Sequence, residues 1–336
     1  MHLTRRALFA LTLGVAAASL AGCRRASASA SGEPARPSGM RAAPPTTATR
    51  QAADGDAGRS VVTLDVAGVM RRYIRYEPPG LDRSAPAPFV VFLHGATASG
   101  AIAERLYGMS QLAASQGFVV AYPDALGQPS AWNTAPDVGN RKPSDVEFLR
   151  ALVEQEQATR PLDPRRTFAC GHSSGAIMSY RLAAEASDLF AAVGIVAGTI
   201  GYRLPNGRTW TFGEPQRPVG VIHFHGTDDP LVPYNGGSRR GEAGGVIPVA
   251  DSISFWVSHD GCDRTPAQET TPDASATRQT YGGGRDGTEV TLWTIQGGGH
   301  EWPGWAPAAR RPEGGTSTVK ATDLIWEFFA AHPRPA

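Results

Sequence analysis

The chain has 336 residues, of which 41% are hydrophobic, and its 32 Lys and Arg almost balance its 31 Asp and Glu. That balance gives no basic surface to attract a polyphosphate, so nucleic acid is not an expected partner. The length and apolar share suffice for one large core.

Arg5 and Arg6 precede the apolar stretch Ala7–Gly22. As a helix this stretch spans only ~24 Å, short of the ~30 Å hydrocarbon core. It therefore reads as an export signal and not a membrane span. Thr4–Phe9 is similar to a twin-arginine signal, and Leu20-Ala21-Gly22-Cys23 resembles the lipobox of bacterial lipoproteins, whose cysteine is lipidated. Residues 1–23 are expected to direct export and Cys23 to carry a lipid, so the one membrane contact is an N-terminal anchor; release into the medium is the alternative. Residues 24–58, rich in Ala, Ser, Pro, Thr and Arg, bury too little apolar surface to offset ordering entropy and are expected to be a disordered linker. Residues 59–336 are left as one domain.

Ser60–Val66 and Arg71–Tyr76 alternate apolar and polar side chains, the pattern of an antiparallel edge hairpin turned at Ala67-Gly68. The pattern then changes. Phe89–Leu93, Phe118–Tyr122, Thr167–Cys170, Ala191–Val196 and Val219–Phe224 are short, nearly continuous apolar runs, as expected for strands covered on both faces of a parallel sheet. Helical patterns alternate with them. Ser144-Asp145-Val146-Glu147 forms a capping box ahead of Leu149 and Val153, and Ser174–Ala186 and Val319–Ala331 are further helices. Glu289–Ile295 supplies a last strand. The predicted class is α/β: a mostly parallel central sheet with helices on both faces and antiparallel N-terminal edge strands.

Ser173 lies in Gly171-His172-Ser173-Ser174-Gly175, between a predicted strand and a predicted helix. A G-x-S-x-G turn in that context is a nucleophile elbow of the α/β-hydrolase fold. A serine hydroxyl reacts only if an imidazole takes its proton and a carboxylate fixes that imidazole's tautomer. On this fold the acid and then the base follow the serine in the chain. Of eight histidines, His259 falls in a predicted helix and His332 ends the last one, whereas His300 follows Gly297-Gly298-Gly299 directly after the final strand. His300 is the expected base. Asp229 is the expected acid, because it fits H-G-x-x-D-x-x-V-P in His225–Pro233; Asp228 reads as a turn residue. The oxyanion donors are expected at the amides of Ser174 and Ala96, with Thr97 the alternative to Ala96. His94 and His172 read as structural. Trp132 and Trp302 read either as substrate walls or as core. No C-x-x-C or H-E-x-x-H spacing occurs, so neither metal nor other cofactor is expected. Cys170 and Cys262 could pair in an exported protein, though nothing in the sequence brings them together.

These stretches resemble the polyhydroxybutyrate depolymerase-like esterases, a group that includes feruloyl and acetyl xylan esterases. The likeness is carried by Leu93-His94-Gly95, Ala131-Trp132-Asn133, Gly171–Gly175, His225–Tyr234 and, most specifically, Gly298-Gly299-His300-Glu301-Trp302-Pro303-Gly304. It implies an α/β-hydrolase fold and a serine esterase with Ser173, Asp229 and His300 as its triad; a monomer is expected. The implied substrates are feruloyl or acetyl-carbohydrate esters, or 3-hydroxybutyrate oligomers. Family members often carry a cysteine before the last strand that pairs near Cys262; here that region reads Tyr281-Gly-Gly-Gly-Arg-Asp286. A peptidase on the same scaffold and an inactive surface binding protein are the rival expectations.

Overall fold

The computed structural model describes residues 49–51, 57–134, 144–238, 244–305 and 318–335. The expected signal segment, Cys23 and residues 24–48 of the expected linker lie outside them.

Two hydrophobic periodicities build the main sheet. In strand β2 (Arg59–Val66) every second residue is buried, and it pairs antiparallel with β3 (Val69–Tyr76) across a turn whose Ala67 and Gly68 have φ of 52° and 82°. A further strand, β1 (Thr49–Gln51), pairs antiparallel with β2, setting Thr49 opposite Thr63. This strand lies within residues 24–58, the segment expected as a linker. Edge pairing uses backbone hydrogen bonds and needs no apolar side chain, so composition did not disclose it.

The central strands are buried on both faces. In β4 (Ala87–Leu93), Phe89, Val91 and Leu93 enter one core while Val90 and Phe92 enter the other. Each such phenylalanine contributes about 1.5–3 kcal/mol when fully buried. β5 (Val119–Pro123), β7 (Ala192–Val196) and β10 (Gly220–Gly226) follow the same rule throughout, as do Thr167–Gly171 of β6 (Leu162–His172) and the first half of β14 (Val290–Ile295). Two polar strands, β12 (Ala267–Thr270) and β13 (Ala276–Tyr281), close the far edge as an antiparallel hairpin that the sequence did not suggest. The sheet runs β1-β2-β3-β5-β4-β6-β7-β10-β14-β13-β12, parallel from β5 through β14. A small antiparallel sheet of β8 (Gly201–Arg203), β9 (Thr209–Thr211) and β11 (Gly245–Val246) stands apart.

Helices α3 (Asp145–Thr159), α4 (Ser174–Glu185) and α5 (Val249–Asp260) supply one core, and α1 (Gly100–Leu106), α2 (Met109–Gln116) and α6 (Ala321–Ala331) the other. Because the central strands are parallel, β4, β6, β10 and β14 all end on the same side. The loops after Leu93, His172, Gly226 and Ile295 therefore share one rim, where open α/β sheets place their sites. Cys170 and Cys262 are buried free thiols, and burial pushes both up, Cys262 to about 11.

Candidate active site

The turn from β6 into α4 is tighter than side chains at its flanks allow. A Cβ at Gly175 would stand 2.1 Å from the Leu93 carbonyl oxygen, and one at Gly171 would stand 2.5 Å from the Gly175 carbonyl carbon. Ser173 between them adopts φ 57° and ψ −121°, a conformation a non-glycine residue holds only when its surroundings impose it. The Ser173 N–H donates to Val196 O at 2.9 Å, and its carbonyl accepts from Ile177 N–H at 3.0 Å, the first bond of α4.

The acid and base positions meet because two loops are stitched together. The Thr227 amide donates to Ile295 O (3.0 Å), the Asp228 amide to Gly298 O (3.0 Å), and the Gly297 amide to the Thr227 hydroxyl (2.8 Å). The approach demands glycines, since a Cβ at Gly226 would lie 2.1 Å from Gly298 O. This seam sets His300 Nδ1 2.7 Å from Asp229 Oδ2. Asp229 Oδ1 meanwhile accepts from the Leu231 and Val232 amides at 2.8 and 2.9 Å. Burial alone would raise the Asp229 pKa. The polar contact with His225, hydrogen bonds from His300 and the Val232 amide, and the charge of His300 outweigh it and hold the carboxyl below its usual range. Asp228 is exposed; its amide donates to Gly298 O across the seam, and its carboxylate accepts from the Thr227 hydroxyl.

His300 packs beside His172, the neighbour of the serine, with ring centroids 5.0 Å apart and planes tilted by 36°. Among the described residues no hydrogen bond joins the Ser173 hydroxyl to His300; such contacts are commonly long before substrate binds. His172 is neutral: burial, then the charge of His300, lowers its pKa to about 3.

The loop after β4 lies against the elbow, a Cβ at Gly95 falling 3.5 Å from Ser173 Cβ. The Thr97 amide donates to Ser130 O at 2.9 Å, whereas the Ala96 and Ser174 amides have no backbone partner among the described residues. The Thr97 amide is thus engaged within its own protein. His94 anchors the loop as a neutral ring, its Nδ1–H donating to Gly95 O (2.7 Å) and its Nε2 accepting from the Ala125 amide (3.0 Å). Trp132 is 1% exposed and donates its indole N–H to His94 O at 2.8 Å. Trp302, also 1% exposed, donates to the Thr322 hydroxyl at 3.0 Å and packs on Phe92 and Tyr107. Of the two readings, wall or core, burial places both rings in the core, and Trp132 braces the Ala96 loop from behind. Sequence reasoning missed His223, His225 and Tyr180, buried beneath Asp229, because nothing local marks which strand residues a helix will cover.

Residues 71–203 match the family described as Esterase PHB depolymerase. The relative named "Putative esterase NocK", from Nocardia uniformis subsp. tsuyamanensis, is 30% identical over 323 residues, covering 90% of each chain. The chain belongs to the esterase PHB depolymerase family. It is thus a hydrolase of carboxylic esters. Feruloyl esterase C of Emericella nidulans is 26% identical over 78% of this esterase and 84% of its own length. Feruloyl esterase B of Piromyces equi is 29% identical over 68% of this chain but only 42% of its own. Among solved structures, the acetyl xylan esterase from Aspergillus awamori superposes with a TM-score of 0.52 at 17% identity, over 85% of this chain and all of that one, a likeness of fold.

Proposed function

We propose that this esterase works through an acyl-enzyme on Ser173, with His300 as base and Asp229 as its orienting acid. The observation that carries the reading is the Asp229–His300 bond of 2.7 Å on loops that bring His300 beside the strained serine turn. The Ser173 hydroxyl attacks the ester carbonyl as His300 Nε2 takes its proton, while Nδ1–H stays bonded to Asp229 Oδ2. The carbonyl oxygen, now negative, receives the Ala96 and Ser174 amides, the latter at the positive end of α4. Collapse expels the alcohol, which takes the proton back from His300. Water, deprotonated by the same ring, then attacks the acyl-serine and frees the carboxylic acid and the hydroxyl.

The substrate class follows the relatives' names: a feruloyl or acetyl ester on carbohydrate, or a 3-hydroxybutyrate oligomer. An exported monomer, tethered by lipid at Cys23 through the linker of residues 24–58 or released, is the form this reading carries. Ser173→Ala tests the chemistry. Turnover of short p-nitrophenyl esters is expected to fall by about 10^6, with an unchanged melting temperature. Retained turnover sinks the assignment. Rates on feruloyl, acetyl-xylan and 3-hydroxybutyrate substrates then rank the esters.

A further inference from the structure

Beneath Asp229 lies a row of buried polar side chains that the reaction itself does not use. His223 and His225 are two apart on β10, so both point to one face, and α4 covers that face with Tyr180. All three are 1% exposed or less. Tyr180 Oη lies 2.7 Å from His223 Nδ1, His223 Nε2 lies 3.0 Å from His225 Nδ1, and His225 Nε2 lies 2.8 Å from Val232 O and 3.4 Å from Asp229 Oδ2.

Only one neutral arrangement of protons satisfies these contacts. His225 Nε2 faces a carbonyl and a carboxylate, both acceptors, so it must carry a hydrogen, and Nδ1 is then bare. His223 Nε2 must therefore donate to it, which leaves His223 Nδ1 to accept the Tyr180 hydroxyl. Burial, and then the neighbouring His225, holds His223 well below the ordinary imidazole range, in keeping with a neutral ring. Each donor points toward Asp229, so the dipoles add along the row. The shorter contact at its end is to Val232 O, and the Val232 amide in turn donates to Asp229 Oδ1 at 2.9 Å. His225 thus clamps the turn that holds the carboxylate, while its 3.4 Å contact with Asp229 acts as electrostatic support and not as a full hydrogen bond.

We infer that Tyr180, His223 and His225 are positioning residues: a one-way chain of hydrogen-bond donors that fixes the 229–232 turn and keeps the Asp229 carboxylate aligned on His300. The inference rests on the reading of Asp229 and His300 as acid and base. Besides these two, the groups facing the chain's end are His172 at the end of β6 and Tyr234, whose ring stands edge-on to His225.

The test compares Tyr180→Phe, His225→Gln and His225→Leu with the unaltered protein, measuring kcat, KM, melting temperature and the pH profile of kcat/KM on a p-nitrophenyl ester. Tyr180→Phe keeps the ring that stacks on Trp256 and loses only the first donor. It is expected to lower kcat about tenfold with KM unchanged. It also moves the acid limb of kcat/KM to lower pH, because a misaligned carboxylate stabilises the His300 imidazolium less. His225→Leu should lose more, and His225→Gln, which can still donate to Val232 O, should recover part of it. Wild-type kcat and acid limb in Tyr180→Phe and His225→Gln overturn the inference, whatever their melting temperature. Should the variants not fold, nitrogen-15 spectra of the unaltered protein decide: a proton on Nε2 of both His223 and His225 is expected, and one on Nδ1 of either overturns it. Asp229→Asn, run alongside, separates the two readings. If it keeps wild-type kcat, the triad assignment fails; if it is inactive while the chain variants are normal, only the chain fails.

Discussion

At Ser173 the backbone stores strain, of order 1–3 kcal/mol for a non-glycine residue so placed, and the Gly171 and Gly175 contacts with Leu93 and with each other hold it there. Asp229 shows the complementary device: a buried carboxylate kept ionised because two backbone amides and the His300 ring all donate to it. An asparagine at 229 would present an N–H where His300 must donate and so favour the wrong tautomer. Asp229→Asn is accordingly expected to lower kcat by about 10^4. Asp228→Asn, on an exposed turn, should leave steady-state kinetics unchanged; the reverse pattern would move the acid by one residue. That Asp229, and not Asp228, would lie against His300 was legible in the spacing His225-Gly-x-x-Asp229 and in the three glycines before His300. The roles of Trp132 and Trp302 were not legible, because whether an aromatic ring near a site faces solvent or core depends on what packs behind it.

The loop that carries Ala96 is held by elements far from it in the chain. α3 begins at a capping box, Ser144 Oγ accepting from the Glu147 amide at 3.1 Å and Glu147 Oε2 accepting from the Ser144 amide at 2.6 Å. The first residue of the helix, Asp145, then bonds the Asn133 amide at 2.7 Å and Arg71 Nη2 at 2.8 Å. This ties β3 and the Trp132 segment to one helix end, and Trp132 passes the restraint to His94 O. Ser144→Ala should cost about 1 kcal/mol, read as a lower urea midpoint at constant m-value, with the ester kinetics unchanged. The box was visible in four consecutive residues. β12 and β13 were not, since a polar edge hairpin carries no apolar signal, and the short helices α1 and α2 have too few turns to show a period.

Over the whole molecule, buried titratable groups link folding to pH. Asp260, the last residue of α5, is buried with Oδ2 lacking a hydrogen-bond partner among the described residues, and burial raises its pKa to about 7 despite a donor at Val219. A carboxyl near pKa 4 in the unfolded chain and near 7 in the native one binds more protons when folded. Its contribution to stability is therefore fully present at pH 4 and is lost as pH rises through 7. Asp260→Asn should raise the melting temperature at pH 8 and change it little at pH 4; equal shifts at both would show that Asp260 is not protonated in the native state. His172 acts with the opposite slope, because its neutral native ring lets the unfolded chain take up the extra proton as pH falls below about 6.5. The burial of the central strands, the serine turn and the glycine-led loop that carries His300 were all readable from local pattern, since side-chain periodicity and turn sterics are properties of a few consecutive residues. Which side chains lie within hydrogen-bond reach was settled only by tertiary structure. Asp229 and His300 stand 71 residues apart, and Tyr180 and His223 stand 43 apart. They meet because β10 and β14 are neighbours in the sheet and α4 lies across β10, an arrangement that no single segment encodes.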